Sequence, residues 1–345
     1  MPARQHPSRT RLAGITGPVQ RFCLLLTGML CLVACGFHDP AAPPQSHPAA
    51  TASRVGTGLA PGMGAAGAQF REERAQTQAE RKRERGDGWV RDASLPDHRL
   101  VLYYGNPFSR ELGPIGAYSD GDLLARLNAQ GDAYQRLDPS HPVVNGLDYV
   151  TPVAQSSVGD GTYRVRMPAE SIQHYVDLAL SHHLLFFFDL QVGRASPSAE
   201  VDALWPWLQR PGVNLALDPE FDLNGGGLPG RQIGRMTADE INPVVDRLAA
   251  LVRQSGGPPK MLVVHQFRPD MLPDRARIHL PPEVALVICA DGVGTPQAKI
   301  ASYALANQPP LQHPGVKLFF TSDRPLMSES QVLALSPQPL LVMYQ

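Results

Sequence analysis

Eight short, β-rich apolar runs between residues 99 and 345 constrain the fold of this chain more than any other feature. They are Leu100–Tyr104, Val143–Val150, Leu184–Leu190, Val213–Leu217, Met261–Phe267, Val284–Ala290, Val316–Thr321 and Leu340–Tyr344. Most are continuous instead of alternating, the pattern of strands buried on both faces of a parallel sheet. Amphipathic helices lie between them. Ile241, Val244, Val245, Leu248, Leu251 and Val252 keep helical spacing after a Thr237-x-x-Glu240 capping box. Ile172, Tyr175, Val176, Ala179 and Leu180 do the same behind Pro168. Weaker helical patterns cover 120–136, 198–209, 296–307 and 328–335. This alternation predicts an α/β chain folded as a (β/α)8 TIM barrel over residues 97–345. A doubly wound open sheet is the alternative, but no glycine-rich phosphate loop follows the first run. The last residue stands directly after the eighth run, so the last outer helix is expected to be missing or replaced.

The N-terminus has a different character. Residues 1–34 carry Arg4, Arg9, Arg11 and Arg21, no acidic residue, and an apolar run from Phe22 to Val33 too short to span a bilayer. That is the pattern of an export signal. It ends Leu32-Val33-Ala34-Cys35, which resembles the lipobox of bacterial lipoproteins. The resemblance implies cleavage before Cys35 and acylation of its thiol and amine. Two signals of this kind matter, since one acyl chain gives only marginal anchoring. The implied partner is a lipid bilayer held through Cys35, and the implied location is the extracytoplasmic side of the cell envelope. Removing residues 1–34 leaves 27 basic against 32 acidic residues and a single further cysteine, Cys289. No intramolecular disulfide is then available. Cys289 sits inside an apolar run and reads as a buried, inert thiol.

Residues 35–96 read as a tether. The first part is rich in Pro, Ala, Ser and Gly and lacks the apolar surface to fold. Arg71–Arg85 follows, good helix formers without an apolar stripe, as in a charged stalk. Over the whole chain Lys+Arg 31 against Asp+Glu 32 excludes the basic surplus of a nucleic-acid binder. Lys82, Lys260, Lys299 and Lys317 are the only lysines.

A barrel of this kind keeps its chemistry at the C-terminal ends of its strands. Those ends carry Tyr103-Tyr104, Asp148-Tyr149, Asp189 and Gln191, Asp218-Pro-Glu220, His265-Gln266, Asp291, Asp323 and Tyr344. Turn and capping roles account for some of these aspartates. They do not account for a glutamate, a His-Gln pair and a Tyr-Tyr pair. Residues two apart on a strand face the same way, which places Asp218 beside Glu220. One of two adjacent carboxylates then holds its proton at neutral pH.

Asp218-Pro-Glu220 resembles the strand-four Asp-x-Glu of the family 18 chitinases and the family 25 lysozymes, where the glutamate is the proton donor. The similarity spans about six residues. The chitinase pattern has further aspartates upstream, where this chain has Val213-Asn-Leu-Ala216. The lysozymes have an aspartate on the first strand, where this chain has Tyr103-Tyr104. Residues 99–345 as a whole look like secreted bacterial barrel proteins of glycoside-hydrolase type. The reading is a surface-anchored hydrolase of an envelope or extracellular glycan. Glu220 is its general acid and Asp218 tunes it. Asp189, Asp291 or Asp323 is nucleophile, base or stabiliser of the transition state. Tyr103, Tyr104, Asp148, Gln191, His265, Gln266 and Tyr344 would bind the sugar. Trp205, Trp207, Tyr149 and Phe221 are further stacking candidates, although Trp205 and Trp207 fall in a helix that must cover the barrel. The loop Asn224–Gly230 is either a lip of the cleft or a linker.

No cofactor motif is present and no cofactor is expected. No His-x-x-x-His or His-x-Asp spacing marks a metal site. Two other classes remain open: a non-catalytic glycan- or envelope-binding lipoprotein, and a barrel hydrolase or lyase holding a divalent cation on Asp189, Asp218, Glu220, His265 and Asp291.

Overall fold

The computed structural model describes Val90, residues 94–309 and residues 313–345. The signal segment, Cys35 and nearly all of the 35–96 tether lie outside the described residues. Eight parallel strands close into one barrel: β1 (Arg99–Gly105), β2 (Val143–Val150), β3 (Leu185–Leu190), β4 (Val213–Leu217), β5 (Lys260–Gln266), β6 (Val284–Ala290), β7 (His313–Leu318) and β8 (Leu341–Tyr344). Neighbours in sequence are neighbours in space, and β8 closes on β1 with Leu100 opposite Leu341 and Tyr103 opposite Tyr344. Every strand but β7 matches its expected run to within one residue at either end. β7 begins three residues earlier than expected, at His313, and ends at Leu318.

Six α-helices wrap the barrel: α1 (Asp120–Leu137), α2 (Ala169–Ser181), α3 (Pro197–Leu208), α4 (Ala238–Ser255), α5 (Pro296–Ala306) and the short α6 (Glu329–Leu333). A single helical turn, Pro114–Ala117, precedes α1. The helix starts are set by local chemistry. Ser119 and Thr295 accept from backbone N–H groups three residues on. The Glu240 side chain reaches back to the Thr237 N–H at 2.8 Å, as the capping box requires. The β5–β6 connection carries no α-helix, only two 3₁₀ turns at Pro269–Met271 and Arg275–Arg277. Pro269, Pro273, Pro281 and Pro282 punctuate that stretch and deny it a helical ladder.

Side chains sort by strand parity. Val101, Tyr103, Leu147, Tyr149, Phe186, Phe188, Leu215, Leu217, Val264 and Tyr344 point outward into the layer beneath the helices. Leu100, Leu102, Tyr104, Leu185, Phe187, Ala216, Met261, Val263, Val287, Cys289, Leu341 and Met343 point inward and fill the barrel. Two glycines make room for that filling. A Cβ on Gly146 would come within 2.6 Å of Leu102 Cδ2, and one on Gly315 within 2.9 Å of Val287 Cγ1. Each buried Leu, Val or Phe of these layers contributes about 1.5–3 kcal/mol.

The outer face of β8 is covered by a different device from a helix of its own. Phe320 stacks on Tyr344 with centroids 5.1 Å apart, Tyr103 meets Phe320 edge-on at 5.9 Å, and Tyr344 Oη lies 2.8 Å from Tyr134 Oη on α1. This aromatic cluster, closed over by α1, occupies the position of the expected last outer helix.

Candidate active site

At the C-terminal end of the barrel the inward-facing positions turn from apolar to ionisable. Parity brings Tyr104 from β1, Asp148 from β2, Asp189 from β3, His265 from β5 and Lys317 from β7 to one level. Asp218 and Asp291 stand just beyond β4 and β6. Asp148, Asp189 and His265 are fully buried, and Asp218 and Asp291 nearly so. His265 is the hub. Its Nε2 lies 3.1 Å from Asp189 Oδ2, and its Nδ1 lies 3.4 Å from Asp291 Oδ2. Lys317 Nζ sits 3.5 Å from the centroid of the Tyr104 ring, a cation–π contact. Gln191 donates from Nε2 to Tyr104 Oη at 3.1 Å and accepts from the Ala154 N–H, so it holds the phenol in place.

Glu220 stands above this layer. The expectation that it pairs with Asp218 through the pleat of one strand is corrected in its cause. β4 ends at Leu217, and Pro219–Phe221 is a 3₁₀ turn whose Glu220 N–H donates to Asp218 Oδ1 at 3.1 Å. Proline at the start of that turn has φ already set and no N–H to satisfy. The turn, not the pleat, brings the two carboxylates together.

Burial, with Asp218 and Asp291 adding negative charge, pushes Glu220 up to about 8. Burial and the Asp189 charge push Asp218 up to about 7, against the pull of His265. Asp148 is raised well above the carboxylate range by burial and then by Asp189, with His265 and Lys317 opposing. Burial alone would lower His265, but the Asp189 carboxylate turns the balance and raises it. Tyr104 is a neutral phenol for the same reasons of burial and surrounding carboxylates.

Other expected residues are directed elsewhere. Tyr103 and Tyr344 have the opposite parity to Tyr104 and belong to the aromatic cluster outside the barrel, where Tyr103 Oη donates to Arg126 O. Tyr149 is also outside, bonded to Ser171 Oγ. Trp205 lies under the Arg247 guanidinium and Trp207 Nε1 donates to Gln173, both on the outer helix layer. Gln266 faces away from His265 and ties the β5–β6 connection, donating to Arg268 O and accepting from Arg275. Asp323 is taken up by structure: its carboxylate accepts from the N–H groups of Gly294 and Phe319 and pairs with Lys299 Nζ at 3.0 Å. The loop Asn224–Gly230 is pinned, since Gly227 O accepts from Arg194 at 2.6 Å and Gly226 O from Gln232 at 2.7 Å. Lys317 is the site residue that sequence reasoning misses. A lysine inside an apolar run, in register with Gly315 and Phe319, is the signal that could have found it.

Among the described residues, one group has the spacing for a metal ion. Ligand atoms of Asp148, Asp189 and His265 lie within 4.8 Å of one another. Of the five residues that the alternative reading gives to a cation, Asp189 and His265 are in this group, and Asp148 joins them. No helix among the described residues is long and apolar enough to cross a membrane.

No protein-family model matches the chain, and no curated protein matches it. Among solved structures the chain is similar to Bacillus subtilis mannanase man26, at 11% identity over 76% of this chain and 85% of the mannanase, with a TM-score of 0.36. That likeness is too slight to bear on chemistry; the closed ring of eight parallel strand pairings establishes the (β/α)8 barrel by itself.

Proposed function

We propose that this barrel is a glycosidase-like hydrolase that acts on an envelope or extracellular glycan, with Glu220 as general acid. The observation that carries the reading is the Glu220 carboxyl, held up to about 8 at the open end of the barrel beside Asp218 and Asp291. A carboxyl in that state delivers a proton to a glycosidic oxygen at neutral pH, where an ordinary glutamate has already lost it. Asp218 fixes the turn that presents Glu220 and raises its pKa. Asp291, which is 7% exposed and the nearer to solvent of the two carboxylates flanking His265, is assigned as base or nucleophile. Asp189 stabilises positive charge from below, through and beside His265. Tyr104, Gln191 and Lys317 line the wall that receives the sugar hydroxyls. The rate is expected to fall as pH rises through about 8, where Glu220 loses its proton.

The anchoring reading rests on sequence: the arginine-rich leader and Leu32-Val33-Ala34-Cys35 support a lipoprotein whose acylated Cys35 holds the barrel on the extracytoplasmic face of a membrane. Incorporation of labelled palmitate that survives Cys35→Ala would overturn it.

The test of the activity is release of reducing sugars from a panel of glycans by the full chain, wild type beside Glu220→Gln. Turnover in the wild type that the substitution abolishes supports the assignment. Turnover that Glu220→Gln leaves untouched removes Glu220 from the mechanism. Binding of a glycan without turnover by either form transfers the cleft to a non-catalytic binding lipoprotein.

A further inference from the structure

The unpartnered atoms of the barrel's polar layer are concentrated in one place. Both carboxylate oxygens of Asp148, Oδ1 of Asp189, Oδ1 of Asp291 and Nδ1 of His265 are buried without a hydrogen-bond partner. A buried carboxylate that accepts nothing is costly, and two facing each other are costlier. Asp148 is 0% exposed, and one of its oxygens lies within 4.8 Å of ligand atoms of Asp189 and His265. A native fold keeps such a group as a reservoir of strain, for a catalytic role, or to hold a water or an ion.

Three further features single out the ion. Ligand atoms of Asp148, Asp189 and His265 come within 4.8 Å of one another, the spread of donors around one centre. The imidazole is held as a metal-binding histidine is held: Asp291 Oδ2 faces Nδ1 at 3.4 Å, while Nε2 is turned to the Asp189 carboxylate. A carboxylate behind the distal nitrogen orients the ring, and Nε2, which lies 3.1 Å from Asp189 Oδ2, would share the ion with that oxygen. Charge points the same way. Asp148, Asp189, Asp218 and Asp291 face one imidazole and the ammonium of Lys317, and the second ammonium that acts on Asp291, Lys299, is already paired with Asp323. Lys317 is engaged over the Tyr104 ring, so it does not occupy the space between the carboxylates.

We propose that Asp148, Asp189 and His265 form a binding site for one divalent first-row metal ion, with Asp291 orienting the histidine from behind. Two carboxylates and one imidazole are a donor set suited to Mn²⁺ or Zn²⁺, harder than a thiolate site and softer than the all-oxygen cages of Ca²⁺. The site shares Asp189, His265 and Asp291 with the hydrolase reading, but it is tested by binding and not by turnover.

The full chain, stripped with a chelator and returned to buffer, is titrated with MnCl₂ alone and followed by loss of the free Mn²⁺ signal in electron paramagnetic resonance. One saturable site per chain is expected, with a thermal midpoint that climbs as Mn²⁺ rises above its dissociation constant. Asp148→Asn and Asp189→Asn are each expected to weaken that site at least tenfold while keeping a cooperative unfolding transition. The surface substitution Asp270→Asn leaves it unchanged. Absence of a saturable site in the wild type overturns the proposal. So does a site that both aspartate variants retain at full strength, which would place the ion elsewhere, for example on the histidines of the N-terminal segment. Either result leaves the glycan assay, run in chelator, to be judged separately.

Discussion

At the N-terminal end of the barrel Lys260 Nζ donates to the carbonyl oxygens of Arg210 and Val213 at 2.9 and 2.7 Å. On the opposite side of the ring Arg99 reaches Pro339 O and Asp138 Oδ2. At the C-terminal end Asp148 offers two buried oxygens to nothing, and Asp189, Asp291 and His265 each keep one atom unpartnered. Both ends take charge out of water, a step that costs several kcal/mol per ion before partners are counted. Below, backbone carbonyls and one aspartate absorb most of it, with Arg99 Nη1 and Glu283 Oε2 the exceptions. Above, like charges are stacked on one another and left open. An arrangement that only held the fold together would resemble the lower end, or the Asp323–Lys299 clamp. The proposed ion would complete the upper layer by giving these oxygens a shared positive centre.

That contrast can be broken at four points. The largest effect belongs to Glu220→Gln, which removes the proton donor and keeps the shape. The turnover number on a cleaved glycan is expected to fall about 10²–10⁴-fold, with unfolding little changed. Next is Asp323→Ala. Lys299 would be left buried against the carbonyls of Gly292 and Lys317 without its carboxylate, and the expected loss is about 3–5 kcal/mol, on the order of 10 °C in thermal midpoint.

Asp148→Asn has the opposite sign. In chelator it removes a buried, unpartnered carboxyl that is costly to fold whether it is charged or forced to take up a proton, and should raise the midpoint by a few degrees, about 1 kcal/mol. If it destabilises the metal-free chain as Asp323→Ala does, the two carboxylates are alike and the comparison fails. The smallest effect is at Asp222, pushed up to about 7 by burial and then by Glu240. A folded-state pKa above the unfolded one makes a contribution that is present below about pH 4 and lost as pH rises through about 7. Asp222→Asn keeps the acceptor for the Asn224 N–H and removes the titration. Its midpoint should therefore gain on the wild type by roughly 1 kcal/mol between pH 5 and 8, in matched thermal scans.

The strands are readable because a parallel strand covered on both faces must be apolar throughout. The same continuity hides which residues face inward. Tyr103 and Tyr104 are identical side chains at adjacent positions, and only the closed ring of pairings tells the outer from the inner. His265 and Gln266 divide in the same way. Asp218 and Glu220 are legible as a pair, but through a strand geometry that Pro219 replaces with a turn. Asp323 carries the same side chain as the site carboxylates and stands at a strand end. It differs only in the two N–H groups and the ammonium around it, which are supplied by residues as distant as Gly294 and Lys299. Lys317 is hidden for a related reason: a cation in an apolar run looks like a strand end until Gly315 and Phe319 are seen to share its side of the sheet. The missing helix between β5 and β6 is legible in four prolines, whereas the aromatic cover over β8 depends on α1 and cannot be read from β8 itself.

The packed interior beneath the polar layer sets how molecules can come and go. Leu102, Phe187, Met261, Val263, Val287, Leu341 and Met343 fill the barrel from wall to wall, and Gly146 and Gly315 exist to let them meet. The polar layer is therefore closed from below, and the C-terminal end of the barrel is the side from which a molecule can approach it. Whatever enters past Glu220 must back out the same way, so the departing piece and the next arrival compete for one passage. Under the proposed hydrolase reading, a plug of aliphatic side chains at the bottom of the well predicts inhibition by the cleaved product, competitive with substrate.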